Sequence, residues 1–268
     1  MPLLVDLGTG AYHVGVRLAA PFNPKAKAWI EGRRDLWQRI SAKADRLHGC
    51  LWMHCASLGE FEQGRPVLEA IKRARPDLPV LLTFFSPSGF EARKDFPLAT
   101  HVDYLPQDSL ANAARLVALV KPKTAVFVKY EFWYHHLHAL KKAGVPTWLA
   151  SAIFRSDQPF FRWYGAAWRS MLACFTRIFA QDEASRALLA GIGVVNVTVS
   201  GDTRFDRVAD ITRGQEELPV AMIFRDASPD PLCVCGSTWP DDERLLLEAF
   251  AMLGTKPRVM IAPHELTA

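Results

Sequence analysis

The chain has 268 residues, of which 50% are hydrophobic and 22% charged, so it can bury a core and is not disordered. Its formal net charge of +4 favours an anionic partner, such as a phosphate group or a membrane surface. Nucleic acid is not indicated, because the sequence has no long basic run interleaved with aromatic residues and no zinc-finger spacing. The five cysteines lack a disulfide-like spacing, which fits a reducing compartment.

The first twenty residues predict a helix with one polar and one apolar face. Asp6, Gly10, His13 and Arg17 lie at helical spacing on the polar face, and the apolar face holds Leu3, Leu4, Leu7, Ala11, Val14 and Leu18. Basic residues follow, among them Lys25, Lys27, Arg33 and Arg34. We predict that residues 1–35 form a membrane-associating helix and a basic linker at a lipid interface. The alternative is a helix that packs on the domain.

Residues 36–205 alternate between short apolar runs and helical stretches. This rhythm is typical of a mostly parallel sheet covered by helices on both faces, so we predict an α/β, Rossmann-like N-terminal domain. Predicted strands lie at 50–56, 79–85, 100–106, 124–130, 145–151, 177–181 and 194–202. Predicted helices lie at 62–74, 89–96, 109–120, 131–143, 160–173 and 183–192.

A charged segment with two prolines then interrupts the rhythm, and we predict an interdomain linker at 206–230. Residues 231–268 follow with a strand, a helix and a second strand. Two strands and one helix cannot close a doubly wound sheet, so the sequence predicts an incomplete second Rossmann-like domain.

Glu60 directly follows the first predicted strand of the N-terminal domain. In open α/β sheets ligands collect at the carboxyl ends of the strands, so Glu60 is a candidate catalytic group. The alternative is structural, because Ser57 and Glu60 have the spacing of a helix capping box. Pro66 argues against capping, since proline is best accommodated in the first turn of a helix. We therefore expect the regular helix to start near Arg65, with Glu60 on an exposed loop.

Glu131 follows the fourth strand in the same way. Two carboxylates at two strand ends can line one cleft, and apolar surroundings beside Phe132 and Trp133 would raise the pKa of such a group. The alternative is an acidic residue at a helix start, where the helix dipole favours it.

Possible anion-binding residues lie at the ends of two further predicted strands. Arg204 follows the strand at 194–202 and is a candidate for holding a carboxylate or phosphate, or else forms a surface pair with a nearby Asp. Ser237 and Thr238 precede a helix that begins at Pro240, where backbone N–H groups can bind an anion or where ordinary capping occurs.

No metal site is predicted from the cysteines or the histidines. Cys233 and Cys235 lack a second pair. His135, His136 and His138 lack a carboxylate or thiol partner at ligand spacing.

Taken in order, several strings resemble the bacterial 3-deoxy-D-manno-octulosonic acid (Kdo) transferases of lipid A assembly, a GT-B glycosyltransferase family. The resemblance spans nearly the whole chain. The strings include RLAAPFNPKAKAWIEGRR, HCASLGEFEQGRP, LTFFSPSGFE, YLPQD, KYEFWYHHL, SAIFRSDQPFFRWYG, FAQDEASRALLAGIG, VSGDTRFDRV, GSTWPDDE and IAPHE.

The resemblance implies a GT-B architecture of two Rossmann-like domains, the first for the lipid A precursor and the second for CMP-Kdo. It implies transfer of Kdo to a hydroxyl of the precursor, lipid IVA, with inversion, at the cytoplasmic face of the inner membrane, by a peripheral or monotopic protein. No metal or cofactor is implied. A nucleotide-sugar epimerase of similar fold and a non-catalytic acceptor-binding fragment are the alternatives.

The resemblance also assigns site residues. Glu60 matches the Glu of the family's S-x-G-E motif and is expected to be the general base, while Glu131 is expected to orient the acceptor or support the base. Acceptor binding is expected of Ser57, Gly59 and Arg155. Donor binding is expected of Arg204, Ser237, Thr238 and His264.

Three departures from the family pattern matter. Many members read E-T-E-L-W-P where this chain has Lys129 to Tyr134, and many place an Arg between Pro263 and His264. Family chains also run well beyond Ala268, so we expect that half of the donor domain is missing.

Overall fold

The computed structural model describes residues 2–214, 218–254 and 257–264. The chain divides into two compact units, Met1–Asp210 and Ile211–Ala268, each with its own sheet. Most of the segment predicted as a linker, 206–230, is helical where it is described. The predicted domain boundaries at 35, 205 and 230 remain a prediction.

The first unit is built on a seven-stranded sheet whose neighbouring strands all pair in parallel. The strand order along the sheet is β3-β2-β1-β4-β5-β6-β7, so the order reverses between β1 and β4. The strands are β1 (Leu51–Cys55), β2 (Val80–Phe84), β3 (His101–Tyr104), β4 (Thr124–Val128), β5 (Thr147–Ala152), β6 (Arg177–Ala180) and β7 (Val197–Val199).

Helices cover both faces of this sheet. The described helices up to Arg213 are α1 (Pro2–Ala19), α2 (Pro24–Gly32), α3 (Leu36–Ser41), α4 (Ala44–Leu47), α5 (Leu58–Ala74), α6 (Pro87–Arg93), α7 (Leu110–Val120), α8 (Tyr134–Lys142), α9 (Ala166–Leu172), α10 (Glu183–Ala190) and α11 (Thr203–Arg213). A short 3-10 turn spans Pro159–Phe161. The predicted alternation of strands and helices, and the α/β class, are confirmed.

The central strands are apolar runs because both of their faces are buried. Along β1, Trp52 points into one hydrophobic core, while Leu51, Met53 and Cys55 point into a second core on the opposite face. The first core is closed by helices that include α7 and α8, and the second by α5.

The helix α5 begins at Leu58 and continues through Pro66, so the expectation that it starts near Arg65 was wrong. Its start is fixed by Ser57, whose hydroxyl accepts from the backbone N–H of Glu60 at 3.4 Å. Proline in a helix interior costs about 3 kcal/mol or more. Burial of Phe61 and Leu68 from the same helix offsets that cost.

The helix α1 packs on the first unit through its polar side. Asp6 accepts a hydrogen bond from, or pairs with, Nε2 of His135 at 2.7 Å, and the ring of His13 lies 4.9 Å from that of Trp29. Leu7 and Leu18, by contrast, are 62% and 71% exposed. Of the predicted apolar face, Leu7, Val14 and Leu18 therefore do not pack on the domain, and the side chains of Leu3 and Leu4 lie outside the described part of the structure. No helix within the described part of the chain has the length and apolarity needed to cross a membrane.

The second unit contains a two-stranded parallel sheet. Its elements are α12 (Pro219–Asp226), β8 (Leu232–Thr238), α13 (Pro240–Ala251) and β9 (Arg258–Pro263). In the register of this sheet, Thr238 lies opposite Pro263, so the carboxyl ends of β8 and β9 lie side by side. This is the strand, helix and strand that the sequence predicted.

Candidate functional site

The first unit brings Glu60 and Glu131 to the point where the strand order reverses. Glu60 lies in the first turn of α5, directly after β1, and Glu131 follows β4. Because β1 and β4 are parallel neighbours, both residues lie at the same edge of the sheet. Such a switch point is where open α/β sheets bind their ligands.

Glu60 closes a complete capping box with Ser57. Its Oε2 accepts from the Ser57 backbone N–H at 2.9 Å and lies 3.3 Å from the Ser57 hydroxyl. The structural alternative for this motif is therefore realised, and Glu60 is partly exposed on a helix and not on a free loop. The capping bonds use one carboxylate oxygen. Among the described residues, no side chain or backbone group forms a hydrogen bond with Oε1 of Glu60, and none forms a salt bridge with its carboxylate.

Burial raises the pKa of the Glu60 carboxyl above its ordinary value, and the nearby charge of Glu131 raises it further. Hydrogen bonds from Ser57 act in the opposite direction but do not cancel the effect. A carboxylate with a raised pKa is a stronger base than an ordinary one, which suits proton abstraction from a hydroxyl. The geometry and the electrostatics of Glu60 therefore both fit a general base.

Glu131 is 6% exposed and belongs to a chain of buried polar contacts. Its Oε2 lies 2.9 Å from Nε2 of His54 and accepts from Nε1 of Trp133 at 2.6 Å. The other ring nitrogen of His54 lies 2.9 Å from the hydroxyl of Thr83. Because α8 begins only at Tyr134, Glu131 is not at a helix start, and that alternative was wrong.

These contacts hold Glu131 in one place. An oxygen that accepts from Trp133 and lies 2.9 Å from a ring nitrogen of His54 cannot swing freely, so Glu131 fits a positioning and electrostatic role next to Glu60 better than a role as mobile base. His54 and Trp133 were missed as members of the site. The available signal was His54 itself, one titratable residue inside the otherwise apolar strand LWMHC.

The neighbouring strand ends have strained backbone. Lys129, after β4, and Ser151, within β5, are non-glycine residues with positive φ values of 68° and 53°. Such conformations cluster at functional sites. Ser151 is fixed by Gln181, whose side-chain amide donates to the Ser151 carbonyl at 2.9 Å, and its hydroxyl lies 3.2 Å from that of Thr203. Hydrogen bonds thus join the end of β5 to Gln181, directly after β6, and to Thr203 at the start of α11.

The remaining predicted residues of the first unit are more exposed. Gly59 is exposed between Ser57 and Glu60. Arg155 lies on the loop after β5, where Nε is 3.9 Å from Asp157, and the structure does not bring it into contact with Glu60.

Arg204 forms the surface pair with an Asp that the sequence left open. Its Nε and Nη2 donate to Oδ2 of Asp202 at 2.8 and 2.5 Å, and its side chain is 63% exposed. Burial alone would raise the pKa of Asp202, but the bonds from Arg204 and the charge of Lys129 lower it overall. The outward-facing guanidinium keeps other donors for an anion.

The second unit brings together three residues that were predicted to bind the donor. The Ser237 hydroxyl lies 2.8 Å from Nδ1 of His264, and the His264 N–H donates to the Thr238 carbonyl at 2.9 Å. The Trp239 ring stacks on that of His264. Ser237 has a positive φ of 58°. The Thr238 hydroxyl donates to Glu243 at 2.8 Å, while the start of α13 is capped by Asp242, which accepts from the Trp239 N–H at 2.9 Å.

The histidines that were set aside as metal ligands have separate partners. His135 meets Asp6, His136 lies 3.1 Å from the Pro106 carbonyl, and His138 lies 2.7 Å from the Tyr134 carbonyl. Within the described ranges, no three His, Cys, Asp or Glu side chains are grouped so as to hold a metal ion.

The strand order of the first unit, together with the start of a second parallel sheet, defines a GT-B-like, Rossmann-type protein. Solved structures of this type include UDP-GlcNAc 2-epimerases. The enzyme from Methanocaldococcus jannaschii aligns with a TM-score of 0.58 at 13% identity, over 81% of this chain and 74% of that one. The enzyme from Neisseria meningitidis, bound to UDP-GlcNAc, gives 0.57 at 13%, over 81% and 72%. At this identity the likeness shows the fold alone.

The sequence comparisons are more specific. A family model described as "3-Deoxy-D-manno-octulosonic-acid transferase (kdotransferase)" matches residues 32–207, well over half of the chain. The chain therefore belongs to the Kdo transferase family. The matched range contains Glu60, Glu131 and Arg204.

Individual relatives agree with the family model. A 3-deoxy-D-manno-octulosonic acid transferase of Bordetella pertussis is 28% identical over 97% of this chain and 64% of its own length. The corresponding protein of Haemophilus influenzae is 24% identical over 79% and 50%. One from Aquifex aeolicus is 40% identical over a shorter region, 32% of this chain. The chain thus spans between half and two thirds of the length of the first two relatives.

Proposed function

We propose that this chain acts in the transfer of Kdo from CMP-Kdo to a hydroxyl of the lipid A precursor lipid IVA, with inversion, in lipopolysaccharide biosynthesis. The observation that supports this most directly is the Glu60 carboxylate at the switch point, with a raised pKa and a second carboxylate, Glu131, beside it. Family membership supports the reaction class.

In the proposed step, Glu60 takes the proton of the acceptor hydroxyl. The hydroxyl oxygen then attacks the anomeric carbon of Kdo, the bond from that carbon to the CMP phosphate oxygen breaks, and CMP leaves with the bonding electron pair. Glu131, held by His54 and Trp133, keeps the Glu60 pKa high and orients the acceptor. Ser57 and Gly59 shape the first turn of α5, and Arg155 contributes to acceptor binding.

Donor binding is assigned to Arg204 in the first unit and to Ser237, Thr238 and His264 in the second. Arg204 supplies a charge for the Kdo carboxylate or the CMP phosphate. Ser237 and His264 lie at the adjacent carboxyl ends of β8 and β9, and ligand binding at such strand ends in parallel sheets supports this assignment.

Acyl chains of the acceptor are assigned to two mostly apolar cavities of the first unit that lie next to α1 and Trp133. One, of about 250 Å³, is lined by residues including Tyr12, Phe85 and Trp133. The other, of about 330 Å³, is lined by residues including Phe132, Trp133 and Met171. Trp133 also donates to Glu131, so an acyl chain in either cavity would place the sugar close to the site.

The proposed location is the cytoplasmic face of the inner membrane, with α1 in the lipid interface. The exposed apolar face of α1 supports this. Leu18→Glu should strongly reduce flotation of the protein with lipid vesicles, whereas Val195→Glu, at an exposed apolar residue outside α1, should not. Equal flotation of the Leu18→Glu variant and the unchanged chain would disprove the assignment.

The reaction itself is tested by mass spectrometry of the lipid A precursor after incubation with CMP-Kdo. The chain is compared with a version extended to the full length of its curated relatives, each with and without Glu60→Gln. Addition of Kdo that depends on Glu60 supports the proposal. Addition that survives Glu60→Gln refutes the base, and no addition by either version refutes the reaction.

A further inference from the structure

A third cavity of the first unit, of about 330 Å³, adjoins the apolar cavity of about 250 Å³ and has a strongly basic lining. Its basic residues are His13 and Arg17 from α1, Arg33 directly after α2, and Arg34. No Asp or Glu lines it within the described part of the chain. Four basic side chains around one cavity, without a carboxylate, form a site for an anion.

Arg33 is the fixed cation of this cavity. Its guanidinium donates to the carbonyls of Phe85 at 2.7 Å and of Leu105 at 3.3 Å, and it lies 3.9 Å from the centre of the Trp29 ring. Burial lowers the pKa of Arg33 to about 9, which still leaves it charged at neutral pH. Carbonyl groups and aromatic faces hold this charge, and no described carboxylate forms an ion pair with Arg33, although the more distant charge of Asp103 favours its charged form.

Arg17 and Arg34 are the exposed cations of the cavity. Among the residues that the structure describes, neither forms an ion pair or a side-chain hydrogen bond. The adjoining hollow, which both also line, contains Glu31, but Glu31 pairs with Lys27 at 4.0 Å. Their donors are therefore available to a ligand.

Two features of the lining favour a bound anion. The indole N–H of Trp29, which lines it, is buried and has no acceptor among the described residues. In addition, burial lowers the pKa of His13, and the charges of Arg33 and Arg17 lower it further, as expected of like charges crowded without a counter-ion. A bound anion would satisfy the Trp29 donor and relieve the repulsion.

The residues around the basic cavity favour an anion that is attached to an apolar group. The basic cavity shares His13 and Trp29 with the apolar cavity of about 250 Å³ beneath α1. Leu18 on α1 and Phe22, which follows it, are 71% and 89% exposed. A ligand whose anionic group lies in the basic cavity and whose apolar part lies along Leu18 and Phe22 is charged at one end and apolar at the other.

We propose that the cavity formed by His13, Arg17, Trp29, Arg33 and Arg34 binds the phosphate group of a membrane lipid. Arginine donates to phosphate oxygens in pairs, and a basic pocket beside an interfacial helix is suited to a lipid headgroup. The proposal rests on the membrane location proposed above. It replaces a general attraction of basic residues to anionic lipids by one site whose hydrogen-bond donors are named.

The test uses monomeric short-chain lipid and no sugar donor, so that it is independent of vesicle binding and of Kdo transfer. Dihexanoyl phosphatidic acid is titrated into the protein by isothermal calorimetry, alongside dihexanoyl phosphatidylcholine and inorganic phosphate. We expect phosphatidic acid to bind more tightly than either. Arg17→Gln with Arg34→Gln should weaken that binding by about tenfold or more, as expected for loss of charge-assisted hydrogen bonds.

Lys25→Gln is the matched control, because Lys25 is an exposed basic residue of α2 that does not line the cavity. It should leave the affinity for phosphatidic acid unchanged. Circular dichroism checks the fold of each variant, and substitution of exposed arginines should not disturb it. Three results would overturn the proposal: no binding of phosphatidic acid, equal binding by the double variant, or equally tight binding of inorganic phosphate, which would indicate a site for free phosphate.

Discussion

Nε2 of His54 lies 2.9 Å from Oε2 of Glu131, and this contact joins β1 to the loop that follows β4. Both side chains are almost fully buried. The catalytic candidate Glu60 itself is held by α5, but its electrostatic environment depends on where this second carboxylate is kept.

We expect His54→Gln and Glu131→Gln to be coupled in stability. Each single change leaves a buried polar partner unsatisfied, at a cost of about 1–3 kcal/mol in the free energy of unfolding. The double variant should cost less than the sum, with a coupling of about 0.5–3 kcal/mol. Urea unfolding of the four proteins measures it, with His48→Gln as an exposed control. Strict additivity would mean that the two residues do not act as a pair.

Glu60→Gln should separate activity from stability. Glutamine still completes a capping box, so the helix start is kept. Loss of a general base lowers the turnover number by a factor of about one hundred to ten thousand. Glu69→Gln, on the same helix and outside the site, should leave turnover nearly unchanged. Turnover is measured in the version extended to the length of the relatives. A variant that is inactive because it unfolds would contradict this prediction.

The raised pKa of Glu60 predicts the direction in which Glu60→Gln changes the free energy of unfolding. For a carboxyl whose folded pKa is raised above the ordinary 4.5, the favourable contribution is fully present below the ordinary value and is lost as the pH rises through the folded pKa. At pH 7 the charged form therefore weakens the fold, and Glu60→Gln should be at least as stable as the unchanged chain. Below the ordinary value the advantage should vanish. Turnover should rise with pH through the same raised pKa.

Asp103 should show the opposite pH dependence. It is fully buried at β3, and Arg39 donates to both of its oxygens, at 2.6 and 3.0 Å. Burial raises its pKa, but hydrogen bonds from His101, Arg39 and the Tyr104 N–H lower it overall. Its contribution is thus present above the ordinary 3.8 and is lost as the pH falls through the lowered folded pKa.

The test of this pair is Asp103→Asn. It should lower the free energy of unfolding by about 1.5–3 kcal/mol at pH 7, the range for hydrogen bonds to charged groups. The difference from the unchanged chain should shrink when unfolding is repeated below pH 3.8. Asp45→Asn, at an exposed position of α4, serves as the control. A difference that is independent of pH would exclude the ion pair as its origin.

Gly64→Ala should damage the packing of α5 on the sheet. A Cβ atom at Gly64 would lie 2.9 Å from Cγ2 of Val128, a stiff, buried strand residue. We expect a loss of about 1–3 kcal/mol from overpacking, despite the better helix propensity of alanine. Gly15→Ala in α1, where no atom lies within 4 Å of the new Cβ, should instead be neutral or slightly stabilising. Thermal unfolding distinguishes the two, and equal effects would contradict the packing argument.

The sequence was sufficient for the sheet and for the two carboxylates, because apolar runs that end in a polar residue report both burial and the strand end. It placed Glu60 and Glu131 at one edge of the sheet before their neighbourhood was known. The partner of Glu131 was not predictable, since His54 and Glu131 are distant along the chain and only the adjacency of β1 and β4 brings them together.

The predicted start of α5 was wrong for a local reason. Pro66 suggested a helix start, but the capping bonds of Ser57 and the burial of Phe61 and Leu68 outweigh the cost of one proline. The periodicity of α1 gave its two faces, yet periodicity cannot state which face meets the protein. That choice depends on tertiary partners such as His135 and Trp29. The predicted roles of Arg155, Arg204, Ser237, Thr238 and His264 remain predictions.

The orientation of α1 also bears on how the purified chain will behave. The exposed leucine and valine side chains of α1, together with Phe22, form an apolar surface that can associate with other apolar surfaces in aqueous buffer. The chain should be retained on hydrophobic-interaction resin and should self-associate as its concentration rises. A mild non-ionic detergent should reverse this self-association by covering the exposed apolar side chains of α1, without unfolding the first unit.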